Sequence, residues 1–238
     1  MWYNNDIMWG ENMGAVDKNA FCDLMNYLAL HQKEGTLPRI VEDRKGRTCI
    51  VYQEENYSDS DNLSIYIIGK YGNNFQKVGN TYSCLLDRNK LMLDAIYVDK
   101  KQRGACMGDA LYDFTEISAS NMGDIKSVIG TFCPYDMQGC DSANEPDSVL
   151  HKRARGLYKK KGFEIITIAD YLSDKYKYPY AKESDFYDRS VGLDEDTFII
   201  YKPMTKKTFA DYGLHLSRDG ILVPKPLMHK YSKVICME

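Results

Sequence analysis

From Val98 to Leu111 the chain reads Val-Asp-Lys-Lys-Gln-Arg-Gly-Ala-Cys-Met-Gly-Asp-Ala-Leu, with a β-prone run before it and a helical pattern after it. A turn from strand to helix leaves the N–H groups of the first helical turn without partners. Those donors, with the positive end of the helix dipole, suit a phosphate. Gly104 and Gly108 permit close backbone approach and unusual dihedrals, and Arg103 adds a charged donor. Neither GxxxxGK[ST] nor GxGxxG occurs, so the two common nucleotide-loop patterns are excluded. What is left is an anion cradle or a plain tight turn.

Two other side chains could take part in proton chemistry. Tyr158 stands in the string Ala154-Arg-Gly-Leu-Tyr-Lys-Lys-Lys-Gly-Phe163. A phenol near pKa 10 stays protonated at neutral pH and can donate to a developing anion. It can equally be an amphipathic core tyrosine. Asp94 is the only carboxylate in the run Leu91–Val98. Strand alternation puts it on one face with Ile96 and Val98, as a base or an amine-positioning group. Asp113 and Glu116 fall on the next helix and read as solvated.

The elements that must position these residues follow from periodicity. Phe21, Leu24, Met25 and Leu28 mark a first helix capped by Asp17. Thr48–Tyr52, Leu63–Ile68 and Thr81–Leu86 read as strands, and Leu91–Val98 as a clearer one. Met107, Ala110, Leu111, Phe114 and Ile117 share a helical face that Gly123 ends. Lys126–Cys133 is a buried strand, Ser148–Lys161 a second helix stopped by Gly162, and Phe163–Ile168 and Thr197–Tyr201 are strands. This β-α-β-α-β order over 91–168 implies a partly parallel sheet under helices. The long polar connection Cys133–Asp147 is a candidate acceptor loop. The Tyr-rich stretch Tyr171–Tyr187 is either an aromatic lid or a packing surface.

Bulk composition narrows the class. The chain has 238 residues, 44% hydrophobic and 27% charged, with a net charge of −3. That is an ordinary α/β domain with no overall basic footprint for nucleic acid. No apolar run nears the roughly 18 residues of a membrane span. The opening MWYNNDIMWGENMG has no basic segment followed by an apolar run, so no signal peptide is expected. Seven scattered cysteines without a CxxC suggest reduced core thiols, with no disulfide framework or metal site. The expected compartment is the cytoplasm.

Together the two motifs resemble those of the GNAT superfamily of N-acyltransferases. Val98, Arg103 and Gly108 match V-x-x-x-x-[R/Q]-x-x-[G]-x-[G/A]. Ala154, Leu157, Tyr158, Lys160, Gly162 and Phe163 match A-x-x-L-Y-x-K-x-G-F. They occur in order, separated by a strand. The resemblance covers residues 91–204 well, 1–90 only by element order, and 205–238 not at all.

The resemblance implies an α/β fold of the α+β kind. Its mixed, mostly antiparallel sheet would hold a splayed parallel strand pair and be flanked by helices. Residues 1–204 would form the acyl-CoA-binding domain, and 205–238 a C-terminal extension packed on it. It implies that backbone groups of Ile96 and Val98 pair with pantetheine and the acyl carbonyl. Arg103, Gly104, Ala105, Cys106, Gly108 and Asp109 would surround the pyrophosphate. Tyr158 would be the general acid near the coenzyme sulfur. Two residues depart from the pattern. Cys106 stands where glycine is usual, and a left-handed backbone there would cost about 1–2 kcal/mol. His151 stands where an asparagine near pantetheine is common. An acidic base, where relatives have one on this strand, falls at Met92.

The implied co-substrate is acetyl-CoA and the implied partner an amine acceptor, small molecule or protein. Neither nucleic acid nor membrane is implied, and a homodimer is compatible. The activity implied is N-acetyl transfer by direct attack in a ternary complex. The other class kept open is a GNAT-fold protein that binds acyl-CoA as a sensor or interaction module without chemistry.

Overall fold

Each apolar stripe finds a surface in a single twisted sheet. The computed structural model describes residues 15–55, 61–131, 149–187 and 198–237, without the side chains of 149–153 and 187. The elements, in chain order, are α1 (Lys18–His31), β1 (Arg39–Glu42), β2 (Thr48–Gln53), β3 (Asn62–Tyr71), β4 (Asn74–Leu86) and β5 (Lys90–Val98). Next come α2 (Met107–Met122), β6 (Ser127–Thr131), α3 (Val149–Lys160), β7 (Glu164–Thr167), α4 (Ile168–Ser173), α5 (Ser184–Tyr187) and β8 (Phe198–Pro203). The chain closes with β9 (Leu214–Leu216), β10 (Leu222–Pro224) and α6 (Met228–Tyr231). The strand order is β7-β8-β6-β5-β4-β3-β2-β1-β10-β9.

The sheet is mixed and mostly antiparallel, with helices on both faces. Among the described residues only β5–β6 and β1–β10 pair in parallel. β7 does not lie beside β6, because β8 is inserted between them and pairs antiparallel with both. Residues 205–238 enter the sheet itself, since β10 extends it beyond β1 through Arg39↔Leu222.

Local signals explain the boundaries. The Asp17 carboxylate accepts from Ala20 N–H at 3.0 Å and caps α1. Along α2, Met107, Ala110, Leu111, Phe114 and Ile117 are all buried, as the 3.6-residue period requires. The first four pack onto Leu63, Ile65, Ile67, Leu91 and Leu93 of the sheet. On the opposite face two separate cores form. One joins α1 to Ile50, Tyr52, Ile68 and Tyr231. The other joins Met92, Ile129 and Ile199 to Tyr171, Tyr178 and Phe186. The Tyr-rich stretch is thus in part a packing layer: Tyr171 and Tyr178 are buried, whereas Tyr176 is 99% exposed.

Two buried ion pairs hold the ends of this layout. Lys90, at the start of β5, is buried and bonds Asp185 and the Tyr180 carbonyl, the latter at 3.0 Å. Glu116 and Asp113 are not solvated, contrary to the helical reading. The Glu116 side chain is 1% exposed and bonds Lys202, Tyr112 at 2.6 Å, Tyr212 at 3.1 Å and Lys207 at 3.3 Å. Asp113 takes Lys161 at 2.6 Å and Arg39 at 3.6 Å. Both partner sets come from distant sequence, so helical position could not reveal them.

Burial alone would raise the Glu116 carboxyl, but hydrogen bonds from Lys202 and Tyr112 outweigh it and hold it below the usual glutamate range. Its folded pKa is therefore depressed. The stability it contributes is present above the unfolded value, about 4.3, and is lost as pH falls through the folded one. Glu116→Ala should lower unfolding free energy by about 3–5 kcal/mol, since it strands the Lys202 ammonium. In denaturant titrations from neutral to acid pH, the gap between wild type and Glu116→Gln should close as the pH drops.

Candidate active site

β5 and β6 start as partners and then part. Parallel pairing covers Lys90↔Ser127, Leu91↔Val128 and Met92↔Ile129 and stops there. A Cβ on Gly130 would lie 2.6 Å from the Leu93 carbonyl oxygen, so only glycine lets the strands touch at the point of departure. The cause of the parting is visible on the other edge of β5. Its register with β4 jumps from Ser83↔Leu93 to Tyr82↔Ala95, which leaves Asp94 as an extra residue. Such a bulge bends its strand and increases its twist.

The bulge also resets the alternation. Leu91 and Leu93 belong to the α2 core, and so do Ile96 and Val98. Asp94 does not share their face through simple alternation, as the unbroken strand pattern had it; it is exposed at the bulge. Asp99 N–H donates to Val78 O at 2.8 Å. In an antiparallel ladder alternate residues bond to opposite sides. Ile96 and Val98 therefore turn their N–H and C=O groups to the open edge that faces β6.

That edge ends at the glycine-bearing loop. Asp99 Oδ1 accepts from Lys101 N–H at 2.7 Å and caps a 3-10 turn over Lys100–Gln102. Arg103 Nε donates to Val98 O at 3.0 Å, so part of its guanidinium secures the loop and its other nitrogens keep donors to spare. Gly104 has φ +92, and Cys106 is left-handed at φ 55 and ψ 16 as the N-cap of α2. The first bond of the helix is Ala110 N–H to Cys106 O at 3.0 Å. The amides of Met107, Gly108 and Asp109 precede it and are donors without helical partners. Left-handed residues on either side of Ala105, at a helix N-terminus, leave these N–H groups where an anion suits them.

Three expectations about the loop are refined. The left-handed positions are Gly104 and Cys106, not Gly108, where an added Cβ would meet only Leu157 at 3.5 Å and Val98 at 4.0 Å. The Asp109 carboxylate is engaged by Lys160 at 2.9 Å and Lys161 at 3.2 Å, so its backbone N–H is what it offers an anion. Burial would raise that carboxyl, but the two lysines outweigh it and hold it low. The His151 side chain and the Cys133–Asp147 loop lie outside the described residues.

The second motif is a helix stop. Phe163 N–H donates to Tyr158 O and Gly162 N–H to Lys159 O, both at 3.0 Å, with Gly162 at φ 83. This is the Schellman pattern, whose flanking hydrophobic contact here is the Tyr158–Phe163 ring pair at 5.4 Å. The stop fixes the Tyr158 ring against the α2 core, and burial pushes its phenol up to about 12. Val98, Gly108 and Leu157 meet in one place, so the end of β5, the start of α2 and the end of α3 converge at the loop. Asp94 lies four residues back along β5, about 13 Å away at strand rise.

Sequence reading missed Gly130 and a row of tyrosines on the sheet face opposite α2. Tyr66 and Tyr82 bond through their hydroxyls at 3.1 Å, and Tyr82 and Tyr97 are 43% and 42% exposed. Tyr82 pairs with Ala95 beside the bulge. A tyrosine on each of β3, β4 and β5, Tyr66, Tyr82 and Tyr97, was the available signal.

No family model matches the sequence, and no curated protein does. Solved structures are similar to it at low identity. A GNAT-family acetyltransferase from Staphylococcus aureus is 20% identical, with a TM-score of 0.41 over 63% of this chain and 72% of that one. The PaiA N-acetyltransferase of Thermoplasma acidophilum, in complex with coenzyme A, is 12% identical, with a TM-score of 0.38 over 60% and 62%. The ribosomal-protein-S18-alanine N-acetyltransferase of Escherichia coli is 14% identical, with a TM-score of 0.37 over 63% and 74%. The first of these bears the name of the family that the two motifs resemble.

The Cys106 backbone generates a prediction that needs no ligand. Cys106→Gly relieves left-handed strain of about 1–2 kcal/mol and adds unfolded-chain entropy worth about half of that. It should raise unfolding free energy by roughly 0.5–1 kcal/mol, measured by denaturant titration.

Proposed function

We propose that this chain is an N-acyltransferase that moves an acetyl group from acetyl-CoA to an amine by direct attack in a ternary complex. The observation that carries the reading is the early end of β5–β6 pairing, which opens a strand edge that leads to an anion-binding loop. A pantetheine arm is extended and bears amides, so it can satisfy that edge as an added strand would. A diphosphate suits the loop amides from Gly104 to Asp109. Donor edge and loop fit the two halves of one molecule, in the order the coenzyme has them.

The chain's own groups then have distinct tasks. The Ile96 N–H, on the edge nearer the bulge, polarises the thioester carbonyl and receives the developing oxyanion, while Val98 holds the pantetheine. Asp94 draws the amine toward the bulge and takes its proton directly or through water. As the C–N bond forms and the C–S bond breaks, Tyr158 donates to the departing sulfur. Its phenol, pushed up to about 12, is a weaker acid than a thiol near 8.5. The proton therefore stays on oxygen, and the tyrosine stabilises the thiolate by hydrogen bonding. His151 would serve the pantetheine. The acceptor is an amine on a small molecule or a protein. The reduced cysteines suit a cytoplasmic setting, and no helix among the described residues is long and apolar enough to cross a membrane.

One observation favours the acyl-CoA-binding alternative. Met92, where relatives can carry an acidic base, is buried in the core beneath the Tyr-rich layer. Chemistry separates the two readings, because a sensor binds the coenzyme without amine-dependent release of thiol.

Two outcomes are expected. Tyr158→Phe should lower amine-dependent thiol release by roughly 10- to 100-fold, the scale of a hydrogen bond lost from a charged thiolate, with little change in CoA affinity. A fully active Phe variant removes Tyr158 from the chemistry, and an inactive wild type across a broad amine panel supports the sensor. Alkylation of Cys106, mapped by mass spectrometry, should be slowed by CoA. The exposed Cys22 and Cys236 serve as internal controls. Equal labelling of Cys106 with and without CoA would place it outside the site.

A further inference from the structure

The turn between β1 and β2 reaches across to the loop of the candidate site. The Arg44 guanidinium lies on Gly104: a Cβ there would be 3.0 Å from its Nη2 and 3.8 Å from its Nε. Gly104 thus has two reasons to be glycine, its left-handed backbone and the cation above it.

The turn is built to hold that position. The buried Asp43 carboxylate accepts from Lys45 N–H at 2.8 Å and Arg47 N–H at 3.0 Å, and from Arg47 Nε and Nη2 at 2.7 and 2.6 Å. Asp43 N–H donates to Arg47 O at 3.0 Å and closes the turn. The turn is also tied to the loop. Arg47 stacks on Tyr71 at 4.3 Å, and the Tyr71 hydroxyl accepts from Gln102 Nε2 at 3.4 Å. Turn and loop, remote in sequence, form one assembly.

The electrostatics of this assembly are incomplete. Among the described residues no carboxylate pairs with Arg44. The turn nonetheless holds it against the N-terminal end of α2, which is the positive end of the helix dipole and repels a cation. Arg103 adds a second guanidinium to the same loop. Two guanidinium groups beside a positive helix end favour an anion placed between them.

We propose that the Asp43–Arg47 turn is a phosphate clamp, in which Arg44 closes over Gly104 and grips the diphosphate of the coenzyme from the side opposite the loop amides. This rests on the acyl-CoA reading above and adds a ligand from outside the motif. A diphosphate presents acceptor oxygens on both sides, and Arg44 offers the planar donor fork that suits them.

Calorimetry with CoA and with 3′-dephospho-CoA tests this on wild type, Arg44→Gln and Lys45→Gln, at fixed ionic strength. Arg44 is exposed, so the variant should keep the wild-type melting curve. The clamp predicts that Arg44→Gln weakens both ligands by the same factor, about tenfold or more for a lost charge-assisted bond. Lys45→Gln should leave both unchanged. Unchanged affinity in Arg44→Gln overturns the clamp while the acyl-CoA reading stands. A loss for CoA alone also overturns it, since the guanidinium would then touch the 3′-phosphate. A wild type that binds neither ligand overturns the acyl-CoA reading and the clamp with it.

Discussion

One extra residue in a strand governs the candidate site. Asp94 interrupts the register of β5 with β4, and from there the strand curves away from β6. Backbone N–H and C=O groups are expensive to leave unpaired, so an edge opened within a sheet is costly unless something fills it. The cost is contained because the opening is short and because β5 stays paired with β4 along its whole length. The same residue turns Ile96 and Val98 onto the α2 core, so the open stretch remains anchored below while no strand among the described residues pairs with its edge.

The surroundings keep this opening from closing or tearing further. At its base Lys90 is buried against Asp185, and Gly130 lets the Leu93 carbonyl sit closer than any side chain would permit. At its top α2 and α3 are joined by the Asp109 and Asp113 pairs with Lys160 and Lys161. Glu116 collects Lys202 from β8 and Lys207 and Tyr212 from the C-terminal region. Buried pairs of this kind add little net stability but penalise any arrangement that separates them. They fix the geometry around a strand edge that cannot fix itself.

Much of this was legible in the sequence. The period change at Val98–Met107 located the strand-to-helix loop, and Gly162-Phe163 located the end of α3. The left-handed backbone at Cys106 was readable from the motif the loop resembles, which has glycine at that position. The bulge was not, since Leu-Met-Leu-Asp-Ala-Ile-Tyr-Val fits either phase of a strand and no residue type marks an insertion. Nor was the burial of Glu116, which depends on cations far along the chain. β1, β9 and β10 span only 4, 3 and 3 residues, too few for a period to show. Arg44 reads as an ordinary surface arginine until the fold brings it to Gly104.

The face of the sheet opposite α2 has a further consequence. Its two cores, one beneath α1 and α6 and the other beneath α4 and α5, share no residue and flank the tyrosines of β3–β5. Substitutions that repack one of them propagate to the other only through the sheet. The open strand edge and its loop rest on a third core altogether. A lineage carrying this fold could therefore remodel either wall around Tyr82 and Tyr97 by ordinary core mutations, one wall at a time. The loop and the open strand edge would carry on unchanged through the process.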